Sequence, residues 1–227
     1  MLSRKKLTFD ELKFQRKTFS QFGEDLVLSS LLGYEKSDGF FVDVGAFDPI
    51  SLSNTYLFSS RGWKGINIEP NPEQFRQFPV NRPRDINLNL AISESEGHVQ
   101  FCCNGVFSGI ESDDYKFHGQ NDEATTVEVL AQPLSKILEE HVPELQEIDF
   151  LSVDCEGHDL VVLKSSDWAR FRPKVVVVED HGDRIEGPVF SFMADQGYTF
   201  HSEIGLTQFH LREDLAAIHL PTPVRSH

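Results

Sequence analysis

Apolar residues gather along this chain into short runs that end on or beside an acid. The runs are Phe40-Phe41-Val42-Asp43-Val44, Ile66-Asn67-Ile68-Glu69, Phe150-Leu151-Ser152-Val153-Asp154 and Val175-Val176-Val177-Val178-Glu179. Runs of this length, bounded by glycine, proline and small residues, predict strands of a parallel sheet buried on both faces. Between them the apolar spacing changes to three and four. This predicts helices from Ser20 to about Leu32, Ser51 to about Arg61, Pro133 to His141, Gly157 to Lys164 and Val189 to Gln196. Ser20 is the expected cap of the first, turning Phe22, Leu26 and Leu28 toward the core. Asn71-Pro72 opens a further helix with proline in its first turn. Strands and helices alternating in this way make a doubly wound α/β sheet.

Other segments depart from the alternation. Residues 8–16, amphipathic through Phe9, Leu12 and Phe14, predict a helix in an N-terminal extension (1–18) ahead of one domain over 19–227. Asp85 to Ile92 reads as a third strand, Gly97 to Cys103 as an added antiparallel ribbon, and Ala124 to Leu130 as a further strand. The polar stretch 104–123 is expected to be a long mobile loop serving as a lid on the substrate side. Phe101, Phe107 and Phe117 in and beside it can frame a sugar ring or belong to the core. Tyr198 to Glu203 and Leu206 to Leu211, joined by Ile204-Gly205, predict a closing hairpin.

In a sheet of this kind ligands sit beyond the carboxyl ends of the strands, so the acids there are candidate site residues. Gly45 breaks the first strand, and Glu69 lies 24 residues later, near the ~20-residue offset of a ribose-binding carboxylate. The loop Ala46-Phe47-Asp48-Pro49 lacks the glycines that cradle a pyrophosphate, which argues against a dinucleotide oxidoreductase. Acids suit a ligand carrying an ammonium and a sulfonium, and S-adenosylmethionine is such a ligand. Asp43 and Asp48 then face its cationic end and Glu69 takes both ribose hydroxyls. Ser53 and Asn54 at a helix N-terminus, and Gln21 in the first turn of another, can receive the tail carboxylate. Capping alone accounts equally for Ser51 and Ser53. Asp154, Glu156 and His158, at i, i+2 spacing, share one face of an extended segment and converge on the same crevice.

Bulk properties narrow the class. A chain of 227 residues buries one substantial core. The formal charge of −15 disfavours nucleic acid and anionic membrane as partners. Cys102, Cys103 and Cys155 have neither disulfide-framework nor zinc spacing and read as reduced thiols. No stretch approaches the ~20 apolar residues of a membrane span, and the expected location is cytoplasmic. No feature fixes a subunit number.

The segments SQFGEDLVL, GFFVDVGAFDP, LSNTYLFSSRGWKGINIEPNP, NLNLAIS, IDFLSVDCEGHDLVVLKS and LTQFHLREDL, in this order from about Phe19 to Leu215, resemble the FkbM-type S-adenosylmethionine-dependent methyltransferases. The resemblance implies a Rossmann-like class I methyltransferase fold, with a seven-stranded, mostly parallel sheet and an antiparallel C-terminal hairpin. It implies S-adenosylmethionine as donor and an oxygen acceptor on a sugar, glycan or natural product. By motif, Asp43 and Gly45 line the methionine end, with Ala46 beside them. Glu69 holds the ribose next to Pro70, the Ala91 region flanks the adenine, and Asp154, Glu156 and His158 border the acceptor. Phe47-Asp48-Pro49 stands where an open glycine-rich loop is commoner in the family.

His158 is the first choice of general base, because an imidazole can be poised near neutral pH. Asp154 orients the acceptor or the base, and Glu156 is second choice for base. Mg2+ on Asp154, Glu179 and Asp180 is an alternative, less favoured than a metal-free site. A catalytically silent protein that binds cofactor or partner is the rival reading.

Overall fold

Strand residues alternate between two faces, and this chain fills both faces with apolar side chains. Val42, Val44, Ile66, Ile68, Val176 and Val178 pack on one side with Leu134, Ile137, Val162, Leu163 and Met193. Phe41, Phe150, Val175 and Val177 pack on the other with Leu28, Leu31, Phe58, Trp63 and Phe209. A sheet that is apolar on both faces must be covered on both, and the result is three layers, helix on sheet on helix.

The computed structural model describes residues 15–110, 124–182 and 187–219, together with Asp10 and Lys13. Helix α1 (Glu24–Leu32), strand β1 (Phe40–Val44), α2 (Tyr56–Ser60), β2 (Lys64–Ile68), α3 (Pro72–Phe75), α4 (Phe78–Asn81) and β3 (Ile86–Leu88) come first. They are followed by β4 (Ala91–Ile92), β5 (Gly97–Cys103), β6 (Gly109–Ile110), β7 (Thr125–Gln132), α5 (Leu134–His141), β8 (Phe150–Val153) and α6 (Asp159–Lys164). Last come β9 (Val175–Glu179), α7 (Pro188–Asp195), β10 (Tyr198–Ile204), β11 (Thr207–Arg212) and α8 (Glu213–His219).

The seven-stranded sheet has the order β10-β11-β9-β8-β1-β2-β3, and β11 alone runs against the rest. This is the arrangement that the sequence resemblance implies. The order reverses between β1 and β8, so the crevice beyond their carboxyl ends is the switch point at which such sheets bind ligands. β4, β7, β5 and β6 form a second sheet around Ala91, Phe101, Val129 and Ala131.

Several expected boundaries move, each for a local reason. The first helix begins at Glu24 rather than Ser20, with Gly23 as N-cap at φ 102°. Ser20 donates instead to the carboxylate of Asp25 (3.0 Å), which also accepts from Thr18 Oγ1 and Phe19 N. Phe22 stands outside the core, 54% exposed. The helix expected from Ser51 shrinks to α2, because Asp48 Oδ1 accepts from Ile50 N and Ser51 N, and Leu52 turns through φ 58°. The expected strand Asp85 to Ile92 splits between the two sheets. Asn89 Nδ2 donates to the carbonyls of Glu69 and Pro70 (2.8 and 2.9 Å), fixing the break where the chain leaves β2 and β3.

The expected helix over 8–16 lies largely outside the described residues. The expected loop 104–123 holds a 3-10 turn (Gly105–Phe107) and β6, and the remainder from residue 111, with Phe117, lies outside them. Among the described residues no helix is long and apolar enough to cross a membrane.

Beneath the crevice, Arg82 is the organising cation, 1% exposed. It donates to Asp85 Oδ2 (2.7 Å), the Pro49 carbonyl (3.0 Å), Thr55 Oγ1 (3.1 Å) and Asn67 Oδ1 (3.2 Å). Removing one partner of a buried ion pair leaves the other uncompensated, at about 3–5 kcal/mol. Arg82→Met is therefore expected to lower the melting temperature by roughly 10 °C; an unchanged melt would show that this network contributes little.

Candidate donor and acceptor site

The carboxyl ends of β1, β2, β8 and β9 and the second sheet enclose a cavity of ≈ 260 Å³. Of the residues the sequence singles out, Gln21, Gly45, Glu69, Pro70, Ala91, Asp154, Glu156, His158 and Glu179 line it. Gly45 sits where β1 turns, at φ 78°, and its N–H and that of Ala46 donate to the Ile68 carbonyl (3.0 and 3.1 Å). Glu69 closes the opposite side. Its Oε2 accepts from Phe47 N and its Oε1 from Asn71 N, each at 2.7 Å. Burial outweighs these two hydrogen bonds and pushes its carboxyl up to about 8.

Five of the expected donor contacts, Asp43, Ala46, Asp48, Ser53 and Asn54, are not part of the wall. Asp43 is buried, accepts from Thr55 Oγ1 at 2.7 Å and lies in the field of Arg82. Burial raises its pKa, while Thr55 and Arg82 oppose the rise. Asp43 thus ties β1 to the Arg82 network. Ala46 is buried. Ser53 Oγ accepts from Thr55 N and Tyr56 N at the start of α2, as its capping alternative allows. Asn54 Nδ2 donates to Ser152 Oγ at 3.2 Å. Asp48 is likewise used within its own loop.

The segment from Asp154 to His158 is a tight turn, not the extended stretch expected from its spacing. Glu156 has φ 51°, Gly157 φ 91°, and His158 N donates to the Cys155 carbonyl at 3.1 Å. Asp159 holds the turn, its carboxylate accepting from Cys155 N (2.9 Å) and Gly157 N (3.0 Å). The turn still delivers Asp154, Glu156 and His158 to the cavity wall. The His158 ring is hydrogen-bonded to the Ile92 backbone, its Nε2 is buried with no partner among the described residues, and burial lowers its pKa.

On the neighbouring strand, Glu179 reaches Asp154, and His181 Nε2 lies 3.0 Å from Glu179 Oε2 and 3.9 Å from Glu156 Oε2. Desolvation, then Glu179, raises Asp154 well above the carboxylate range, although the residue keeps accessible surface on the cavity. Burial brings Glu156 and Glu179 each to about 7. The grouping expected for Mg2+ is not formed: Asp180 is buried elsewhere, accepting from Gln208 Nε2 and Gly182 N. The donor atoms that cluster are those of Glu156, Glu179 and His181.

Phe101 and Phe107, expected to frame a sugar ring or belong to the core, line the cavity, as do Asn71, Val106, Ile110 and Leu206, for which the sequence suggests no site role. Most are ordinary apolar residues with no local signature. Asp159 was legible in principle, as a second acid beside Gly157 at a helix start.

No curated protein matches the chain. Among solved structures it is similar to the methyltransferase domain of METTL16 (13% identity, TM-score 0.47, covering 82% of this chain and 64% of that one). It thus spans less than two thirds of that domain's length. It is also similar to precorrin-6Y C5,15-methyltransferase from Geobacter metallireducens GS-15 (13%, 0.45, 90% and 96%) and to the fibrillarin/Nop5p complex (11%, 0.44, 88% and 88%). The model of the methyltransferase FkbM domain matches residues 43–200, from the acid of β1 into β10, and the chain belongs to that family.

Proposed function

We propose that this protein transfers a methyl group from S-adenosylmethionine to a hydroxyl of a small molecule or glycan, with His158 as general base. The observation that carries this reading is that a ribose-type acceptor, Glu69, and the imidazole of His158 line one cavity, with His158 Nε2 buried and without a partner among the described residues. The residues present fit the donor. Each Glu69 oxygen accepts one backbone N–H and has a lone pair left for a ribose hydroxyl. The wall carries Glu69, Asp154, Glu156 and Glu179 and, among the described residues, neither lysine nor arginine. Such a wall favours a cation and repels a pyrophosphate.

When bound, S-adenosylmethionine supplies an electrophilic methyl group on a sulfonium. Asp154 faces that positive charge, and Gln21 and Leu52 line the same cavity. His158 takes the acceptor hydroxyl's proton on Nε2, while Phe101 and Phe107 bound the volume left for the acceptor. The acidic surface supports small-molecule or glycan acceptors over nucleic acid.

Titration calorimetry with S-adenosylmethionine, then radiolabel transfer over a panel of hydroxyl-bearing glycans and natural products, tests the reading. His158→Ala is expected to cut transfer to the best acceptor by roughly 10²–10⁴-fold while donor affinity stays within a few-fold. Undiminished turnover would remove His158 from the mechanism, and no uptake of the donor would overturn the proposal.

A further inference from the structure

We propose that Glu156, Glu179 and His181 form a divalent-cation site on the acceptor side of the cavity, for an ion such as Mn2+ that takes imidazole as well as carboxylate ligands. The role of this site, polarising the acceptor hydroxyl beside His158, rests on the methyl-transfer reading; its existence does not.

The first observation is geometric. One donor atom from each residue lies within 4.8 Å of the others, with His181 Nε2 3.0 Å from Glu179 and 3.9 Å from Glu156. Ligand atoms on an ion with bonds of about 2.0–2.2 Å stand about 3 Å apart in cis positions, so closing the set takes small side-chain movements. The three residues sit on firm supports: Glu179 ends β9, His181 follows it, and the Asp159 carboxylate pins the turn that carries Glu156. Mixed oxygen and nitrogen donors suit Mn2+ better than Mg2+, which takes oxygen almost exclusively.

The second observation is independent of that geometry and concerns charge. Elsewhere several buried acids of this chain have a cation or several N–H and O–H donors. Asp85 has Arg82, Asp149 has Lys36 and Lys174, and Asp25 has Thr18, Ser20 and the Phe19 amide. Among the described residues, the hydrogen bonds and ion pairs of Glu156 and Glu179 lead instead to His181 and Asp154. Glu24 and Asp43 add negative charge from behind, and among the described residues no lysine or arginine reaches the cavity. Partly buried like charges of this kind require a counterion or a proton. The donor's positive charge answers Asp154 and leaves Glu156 and Glu179 for a second cation.

Chelator-stripped full-length protein titrated with Mn2+, with the free-ion signal read by electron paramagnetic resonance, decides the matter. We expect about one bound ion per chain, at least tenfold weaker binding in Glu179→Gln and His181→Ala, and unchanged binding in Asp180→Asn. Melting curves establish that each variant is folded, and His181, half-exposed, is the variant that retains its fold if Glu179→Gln does not. No uptake by folded wild-type protein, or equal uptake by the His181 and Glu179 variants, overturns the site. Calorimetry with S-adenosylmethionine on the same stripped protein separates the two proposals. Donor binding without Mn2+ uptake removes the cation alone, whereas Mn2+ uptake without donor binding removes the methyl-transfer reading and leaves the ion site standing.

Discussion

Gly45→Ala is expected to cost roughly 3–5 kcal/mol and to abolish donor binding. Two effects add. The residue holds φ 78°, where a side chain strains the backbone. In addition, a methyl group there would overlap the Asp154 carbonyl oxygen and stand 2.9 Å from its carbon. The obstacle is backbone, so no rotamer relieves it. Asp154 N donates to the Val44 carbonyl, and Gly45 N to that of Ile68; relief therefore means separating β1 from β8 at the point where the cavity forms. Thermal unfolding by circular dichroism should show a melt roughly 10 °C lower, and calorimetry should show no heat with S-adenosylmethionine. A variant that melts and binds like the parent would mean that the close β1–β8 approach is not needed.

Glu69→Gln is expected to weaken binding of a ribose-bearing ligand by roughly 100-fold, since hydrogen bonds to a charged group are worth about 1.5–3 kcal/mol each. It also sets a donor against Phe47 N or Asn71 N. The same residue predicts a pH dependence. Its carboxyl titrates near 8 in the empty protein, against 4.5 for an exposed glutamate, because burial disfavours the charge. The ionised form is the one that accepts two hydroxyls, so affinity should rise about tenfold per pH unit up to about 8 and then level. One proton is released on binding in that range.

5′-Methylthioadenosine is the suitable probe, since it has the ribose diol and no group of its own titrating there. Calorimetry between pH 6 and 9 gives the curve, and a flat one would show that Glu69 is already ionised or does not touch the ribose. The linkage to stability has the opposite sign. An acid whose pKa is raised on folding leaves the folded state holding the extra proton between 4.5 and about 8, so the empty protein loses stability as pH climbs through that window. Bound ligand offsets this loss.

Glu69 and Arg82 together show how function and folding share one loop. Phe47 N is held by Glu69 and the Pro49 carbonyl by Arg82, so the chain after β1 is fixed at both ends without the glycines of a dinucleotide loop. Its rigidity comes from buried side chains that hydrogen-bond its backbone.

The two apolar faces of the central strands, the acids at their ends and the break at Gly45 were legible in the residues themselves. They depend on periodicity and on the few conformations that glycine and small residues permit, both local properties. From them followed the sheet, its switch point and the side on which a ligand sits. The segments IDFLSVDCEGHDLVVLKS and GFFVDVGAFDP carried the family, which the match over residues 43–200 shows. What the sequence could not decide was where each acid points. Asp43 and Glu69 look alike as strand-end carboxylates, yet one faces Thr55 and the buried Arg82 while the other faces the cavity. Arg82 is distant in sequence from Asp43, and only packing brings them together. In the same way Asp180 and His181 are adjacent in the chain just past β9 but find different partners, one Gln208 and the other Glu179. Strand pleating and the long-range partners available on each face made those assignments, and both are properties of the folded chain.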